Sequence, residues 1–255
     1  MEQLNGKVAI ITGASRGIGE AAARHLASLG VAVVLNARSG DAINRIADEI
    51  SGAGGQAIAV PGDVARYEDV SRTVNEAVSK FGRLDLLVNN AGMIEPIARI
   101  EDSDPAAWSH VVDINLKGVY YGLRAAIPEM MKSGGGTVIN ISSGAATGAL
   151  EGWSHYCATK AGVLSLTRCG HKEFADHGIR IVGLSPGTVA TEMQVQIKAS
   201  GINPVSELDP SVHIPAEWPA KAIAWLAVAS PESDQFLGED FALRPEENRR
   251  RVGLI

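Results

Sequence analysis

The chain has 255 residues, 45% hydrophobic and 20% charged, enough for one sizeable α/β domain, and no linker-like stretch divides it. A formal net charge of −6 excludes the basic stripe of a nucleic-acid surface, and no apolar run reaches membrane-spanning length. The first residues enter a strand without a basic segment and long apolar core, so no signal peptide is expected.

Val8 to Ile11 is an apolar run of strand type. Thr12-Gly-Ala-Ser-Arg-Gly-Ile-Gly19 follows it directly and opens into Glu20 to Ala27, a run of helix formers. Strand, glycine-rich turn and helix in that order is the context a dinucleotide-binding turn requires. Gly13, Gly17 and Gly19 let the backbone approach a pyrophosphate, and the helix start brings aligned N–H donors; Ser15, Arg16 and Ile18 complete the turn. Glycine also marks ordinary tight turns, so the triplet alone is a weak signal. Val31 to Ala37 is a second strand, and Ala42 to Ile50 a helix. NAD-binding folds place an acid on the adenosine ribose at the end of that strand; this chain has Ala37, then Arg38. No carboxylate is there to repel a 2′-phosphate, and Arg38 with Arg16 could grip one, which favours NADP(H) over NAD(H). The plainer alternative is that both arginines are simply solvated.

Gln56 to Val60 is a third strand, Tyr67 to Lys80 a helix, and Leu84 to Val88 a fourth strand running into Asn89-Asn-Ala-Gly92. Asp104-Pro105, an N-cap followed by proline at N1, starts a helix expected to run to about Met131 with a bend at Pro128. Asn115 falls inside it, where its poor propensity calls for a reason. Thr137 to Ile141 is a fifth strand, broken at Ser142-Ser143-Gly144, with a helix from about Trp153. Tyr156 and Lys160 share one face of that helix, and a neighbouring ammonium favours the phenolate, drawing the tyrosine towards a catalytically useful range. Ser143 lies at the mouth of the preceding strand. Cys157 and Cys169 fall on the same helix about 18 Å apart, beyond disulfide reach; free thiols suit a reducing cytoplasm. Ile179 to Leu184 is a sixth strand. Residues 192–216, with Gly201, Pro204, Pro210 and Pro215 and little periodicity, read as a loop serving as a substrate lid. A last helix spans about Glu217 to Ala229 and a seventh strand Asp240 to Leu243. Residues 244–255 form a tail in which Arg249-Arg-Arg251, beside Glu246-Glu247, reads as solvated.

The pattern of Ser143, Tyr156-x-x-x-Lys160, the Gly-x-x-x-Gly-x-Gly turn, Asn89-Asn-Ala-Gly92 and the Pro186-Gly187 loop resembles the short-chain dehydrogenase/reductase family, over roughly residues 7–243. That resemblance implies one Rossmann-type, doubly wound α/β domain over 1–255: a seven-stranded parallel sheet with helices on both faces. It implies hydride exchange between a nicotinamide cofactor and a carbonyl or secondary alcohol. Tyr156 would pass the proton, Ser143 would hydrogen-bond the same oxygen, Lys160 would lower the tyrosine pKa and hold ribose hydroxyls, and Asn115 would position a water. Asp63 and Val64 would meet the adenine, and Asn90, Ala91 and Gly92 would line the cofactor. Pro186, Gly187 and Val189 would meet the nicotinamide amide and Thr191 the phosphates. Ile94, Leu150, Trp153 and Met193 flank these motifs as substrate contacts; His155 reads as packing or surface. No metal is required, the histidines having no ligand-like spacing. The resemblance further implies a small-molecule partner, 3-oxoacyl thioesters included, and a cytoplasmic homotetramer built on the helices near 105–131 and 153–176. Leu243-Arg-Pro stands where the family commonly has Asp-Gly-Gly, which leaves substrate class and subunit packing open. Two other readings remain: an NAD-dependent dehydrogenase oxidising a polyol, sugar or steroid alcohol, and a nucleotide-binding regulator without turnover, which the presence of both Tyr156 and Lys160 disfavours.

Overall fold

In the computed structural model, which describes residues 2–255, the apolar runs become seven strands: β1 (Val8–Thr12), β2 (Ala32–Ala37), β3 (Ala57–Pro61), β4 (Leu86–Asn89), β5 (Gly136–Ile141), β6 (Ile179–Ser185) and β7 (Asp240–Ala242). They form one parallel sheet in the order β3-β2-β1-β4-β5-β6-β7. Between them run α1 (Gly17–Ser28), α2 (Gly40–Gly52), α3 (Tyr67–Phe81), α4 (Pro105–Val112), α5 (Gly118–Lys132) and α6 (Ser154–Phe174). Beyond β6 come α7 (Glu192–Ser200), α8 (Glu217–Ala227), α9 (Pro231–Asp234) and α10 (Glu246–Val252). Strand alternation sorts the buried side chains into two cores. Ala9, Ile11, Val33, Leu35, Ile139, Ile141, Leu184 and Phe241 pack under α1, α2 and α8. Val8, Ile10, Val34, Leu87, Val138 and Ile181 pack on the other face under α3, α5 and α6. The order reverses between β1 and β4, so a crevice opens at their carboxyl ends, where doubly wound sheets take their ligands.

Three expectations need revision. The helix near 105–131 is interrupted at Asp113–Lys117, which form a π-helical turn, whereas Pro128 sits within α5. Such a turn carries an extra residue and re-aims its side chains, and this one holds Asn115. The span 192–216 is more ordered than a loop. It contains α7, 3-10 turns at Pro204–Glu207 and Pro210–Val212, and a bridge from Ile214 to Val189. Its Asn203 is buried, donating to the Glu151 carbonyl at 2.9 Å and accepting from Val205 N at 3.1 Å. The terminal arginines are not all solvated either. In α10, Arg249 stacks over Trp218 at 5.3 Å and donates to the Leu243 carbonyl at 2.9 Å, while Asn248 donates to the Ala242 carbonyl at 2.8 Å. The tail thus seals the end of β7.

Candidate active site

The crevice is built first by its glycines. Gly13 has φ +65°, and a Cβ there would lie 2.8 Å from Ala91 Cα; a Cβ on Gly19 would lie 2.4 Å from the Gly13 carbonyl oxygen. Only glycine allows the turn after β1 to lie against the segment after β4 while α1 packs back onto the turn. Asn90 locks that junction by donating to the carbonyls of Thr12 (2.9 Å) and Gly13 (3.2 Å), while Thr12 Oγ1 accepts from the N–H groups of Asn90 and Ala91. Thr12 was not legible as a site residue in the sequence, where it reads as the last residue of a strand. Across the crevice the Thr191 methyl comes within 3.3 Å of a Cβ built on Gly17, so the 186–191 loop meets the glycine turn. Gly187 there has φ +79° and Val189 is buried. Ser15 and Ile18 are half-buried in the turn, Pro186 is buried, and Gly92 and Gly187 are exposed at the rim.

Arg16 and Arg38 are exposed beside this turn, and neither forms an ion pair among the described residues. Ala37, ahead of Arg38, is buried and carries no charge. Asp63 spends one carboxylate oxygen on Ala65 N (3.0 Å), and its own N–H goes to Asp69 Oδ2 (3.0 Å); Val64 is buried. The turn after β3 is therefore fixed independently of any ligand. A cradle that a Cβ would fill, a helix N-terminus and two unpaired guanidinium groups fit a phosphorylated dinucleotide.

On the β5 side, Ser143 caps the 3-10 turn Gly144–Ala146, accepting from Ala145 N at 3.1 Å, and its hydroxyl lies near enough to the Tyr156 phenol to pull the phenol pKa down. Tyr156 and Lys160 are both buried, with Lys160 Nζ 5.5 Å from the Tyr156 ring centroid. The ammonium donates to the Ile141 carbonyl at 2.6 Å, so β5 fixes a side chain that α6 presents. Burial pushes the Tyr156 phenol up to about 12, the Ser143 hydroxyl pulling the other way, and burial pulls Lys160 down to about 8. The downward pull on the phenol anticipated from Lys160 is not among the causes that act on it; desolvation is the largest. Asn115 is buried; its Oδ1 accepts from Met93 N (2.9 Å), and its Nδ2 donates to the Met93 carbonyl (2.8 Å) and to Thr159 Oγ1 (3.4 Å). Its amide clamps the loop after β4 to α6, which answers why an asparagine interrupts that helix.

Next to the Tyr156 ring, Ile94, Trp153, Ala145 and Ile197 form a buried apolar cluster with half-buried Leu150, Met193, Ile97 and Val205 around it. The four anticipated substrate contacts come together there. Ala145, beside Ser143, was missed, as were Ile197 and Val205, because chain distance hides what residues 192–216 bring to this cluster. Trp153 stacks edge-on against Tyr156, centroids 5.6 Å apart, and its Nε1 is a buried donor without a partner among the described residues. His155 points away as packing: it is fully buried, with Nε2 2.6 Å from the Ile94 carbonyl, which fixes the proton on Nε2 because a carbonyl only accepts. Both cysteines are free. Among the described residues no acidic, histidine or cysteine cluster forms a metal site, and no helix is long and apolar enough to cross a membrane.

A sheet with this strand order and a tyrosine, lysine and serine gathered beside a glycine turn defines a nucleotide-dependent oxidoreductase site. The short chain dehydrogenase family profile matches residues 7–201, and the chain belongs to that family, whose oxidoreductases use NAD(P)(H) on carbonyl and alcohol substrates. The chain is 40% identical over 205 residues to a 3-oxoacyl-[acyl-carrier-protein] reductase of Synechocystis sp., covering 79% of this chain and 82% of that protein. It is 39% identical over 191 residues to a cyclohexanol dehydrogenase of Acinetobacter sp., covering 75% and 76%. A solved structure from Sinorhizobium meliloti 1021, described as a short-chain alcohol dehydrogenase, superposes with a TM-score of 0.81 at 29% identity, covering 93% and 94%.

Proposed function

We propose that this protein is an NADP(H)-dependent ketone reductase, reversible to secondary-alcohol oxidation. The observation that carries the reading is the joining of Tyr156, Ser143 and Lys160 to an apolar cluster on one side and the glycine turn on the other. The cofactor, when bound, supplies or accepts the hydride. Ser143 and Tyr156 converge on one carbonyl oxygen, where both donate and Tyr156 gives up its proton as charge develops. A phenol held neutral by burial is a proton donor at ordinary pH. Lys160, anchored on Ile141, faces the Tyr156 ring and restores the balance of charge when the phenolate forms. Asn115 fixes the 93–94 loop against α6 and so holds Ile94 beside the reacting group.

Arg16 and Arg38, unpaired and following an uncharged strand end, support a 2′-phosphate and hence NADP(H). The apolar cluster favours a ketone with a hydrocarbon body. Both a 3-oxoacyl thioester and a cyclic ketone fit that description, and the named activities of the two relatives make them the first to assay. In line with the family resemblance we also propose a homotetramer, with exposed Tyr120 and Met131 of α5 at a contact between subunits. Parallel titrations with NADPH and NADH, followed by tryptophan quenching, test the cofactor reading. Tight NADPH binding that weakens in Arg38→Asp supports it; preference for NADH moves the activity to NAD-dependent alcohol oxidation, and binding of neither indicates a protein without turnover.

A further inference from the structure

Asp240 opens β7, where aspartate is a poor strand former and where a carboxylate beside a core is costly unless partnered. The β6–β7 register pairs it with Gly183. Its neighbour Phe241 belongs to the core under α1 and α8, so alternation turns Asp240 to the opposite face, under α6. Ser142 reaches that face too, since Asn140, two residues earlier, hydrogen-bonds Thr167 of α6 at 2.9 Å. There Ser142 Oγ donates to Asp240 Oδ2 at 2.5 Å. The space exists because residue 183 has no side chain: a Cβ would lie 1.8 Å from Asp240 Oδ1. That second oxygen is buried without a hydrogen-bond partner.

The charged groups around Asp240 are few. From α6 come Lys160 and Arg168; Glu239 precedes it on its own segment. His171 of α6 lies against Gly238, while β5 and β6 bring only Ser142 and Gly183. Arg168 is taken by Glu239 at 2.7 Å. Lys160 has no ion pair among the described residues; its partner is the Ile141 carbonyl, one residue before the serine that holds Asp240. A buried ammonium and a half-buried carboxylate, neither in an ion pair among the described residues, are thus held by consecutive residues of one segment, Ile141 and Ser142, under α6.

We propose that Asp240 is a positioning residue for Lys160: held by Ser142 in the space left by Gly183, its carboxylate supplies the negative charge that keeps the buried ammonium protonated on Ile141. The inference rests on the reading of Lys160 given above. Burial drives each group towards its neutral form, and each charge opposes that drive in the other. Asp240 therefore sets the pH above which Lys160 loses its proton and the site its activity.

The test is a pH titration of the Lys160 Nζ by 15N NMR in the full-length protein, assigned by its absence in Lys160→Met, together with the pH profile of kcat/KM for ketone reduction. In Asp240→Asn, which keeps an acceptor for Ser142, the Lys160 midpoint falls by about one pH unit or more, and the alkaline limb of kcat/KM falls with it. If the variant does not fold, Asp240→Ser serves: it removes the charge in a smaller side chain that can still accept from Ser142, and the Lys160 midpoint again moves down. An unchanged midpoint in a folded variant overturns the proposal, whatever the activity. A lowered midpoint in a protein that reduces no ketone upholds the proposal and defeats the functional reading instead.

Discussion

The two sides of the crevice handle charge in opposite ways. On the glycine-turn side, Arg16 and Arg38 are exposed and unpaired, the backbone is held by Thr12 and Asn90, and the charges are free to meet a ligand. On the β5–α6 side, Tyr156, Lys160 and Asn115 are buried, and each is tied to the backbone or packed against a neighbouring side chain. An exposed charge costs the fold little, and its contribution waits for the ligand. A buried one costs stability from the start but acts in a low dielectric, where it is worth more to a reaction. On the proposed reading, recognition and chemistry are thereby separated by solvent access within one cleft.

The contrast breaks most visibly at Tyr156. Tyr156→Phe keeps the packing with Trp153 and removes the proton, and should lower kcat for ketone reduction by about 10²–10⁴-fold with little change in cofactor binding measured by fluorescence. An equal loss of cofactor affinity would mean that the two sides are not separable.

Lys160 sharpens the same point through stability. Its pKa falls from an ordinary 10.5 to about 8 on folding, so at pH below about 8 the folded state carries a protonation penalty that disappears as the pH rises towards 10.5. Lys160→Met should therefore be inactive yet more stable to urea at neutral pH, by at most about 3 kcal/mol, the advantage shrinking across that window. Tyr156, raised from 10.0 to about 12, works in the opposite direction above pH 10, where the wild type should lose stability. A Lys160→Met protein no more stable at pH 7 than at pH 10, relative to wild type, would contradict the burial argument.

On the exposed side the effects should be smaller and confined to binding. Arg38→Asp should weaken NADPH binding by about tenfold to a hundredfold, leave NADH binding largely intact and leave the urea midpoint unmoved. Since the contact is charge-assisted and exposed, the difference should narrow as ionic strength rises from about 0.01 to 1 M. Insensitivity to salt would point to a different location for the phosphate.

Much of this molecule was legible from residue order. Apolar runs of strand length, glycine placed between a strand and a helix, and the four-residue spacing of Tyr156 and Lys160 are local signals. A parallel, doubly wound sheet converts them directly into a crevice with the motifs at its rim. Tertiary structure decided what depends on partners distant in the chain: that Asn115 sits in a π-helical turn and clamps Met93, that residues 192–216 fold into α7 and bring Ile197 to the Tyr156 pocket, and that Arg249 lies on Trp218. It also decided the balance at Tyr156, because desolvation depends on everything packed around a phenol and no spacing encodes it. The pairing of Gly183 with Asp240 belongs to the same class, since register between strands is set by whole-sheet packing. Local chemistry named the groups, and burial determined the charge each one carries.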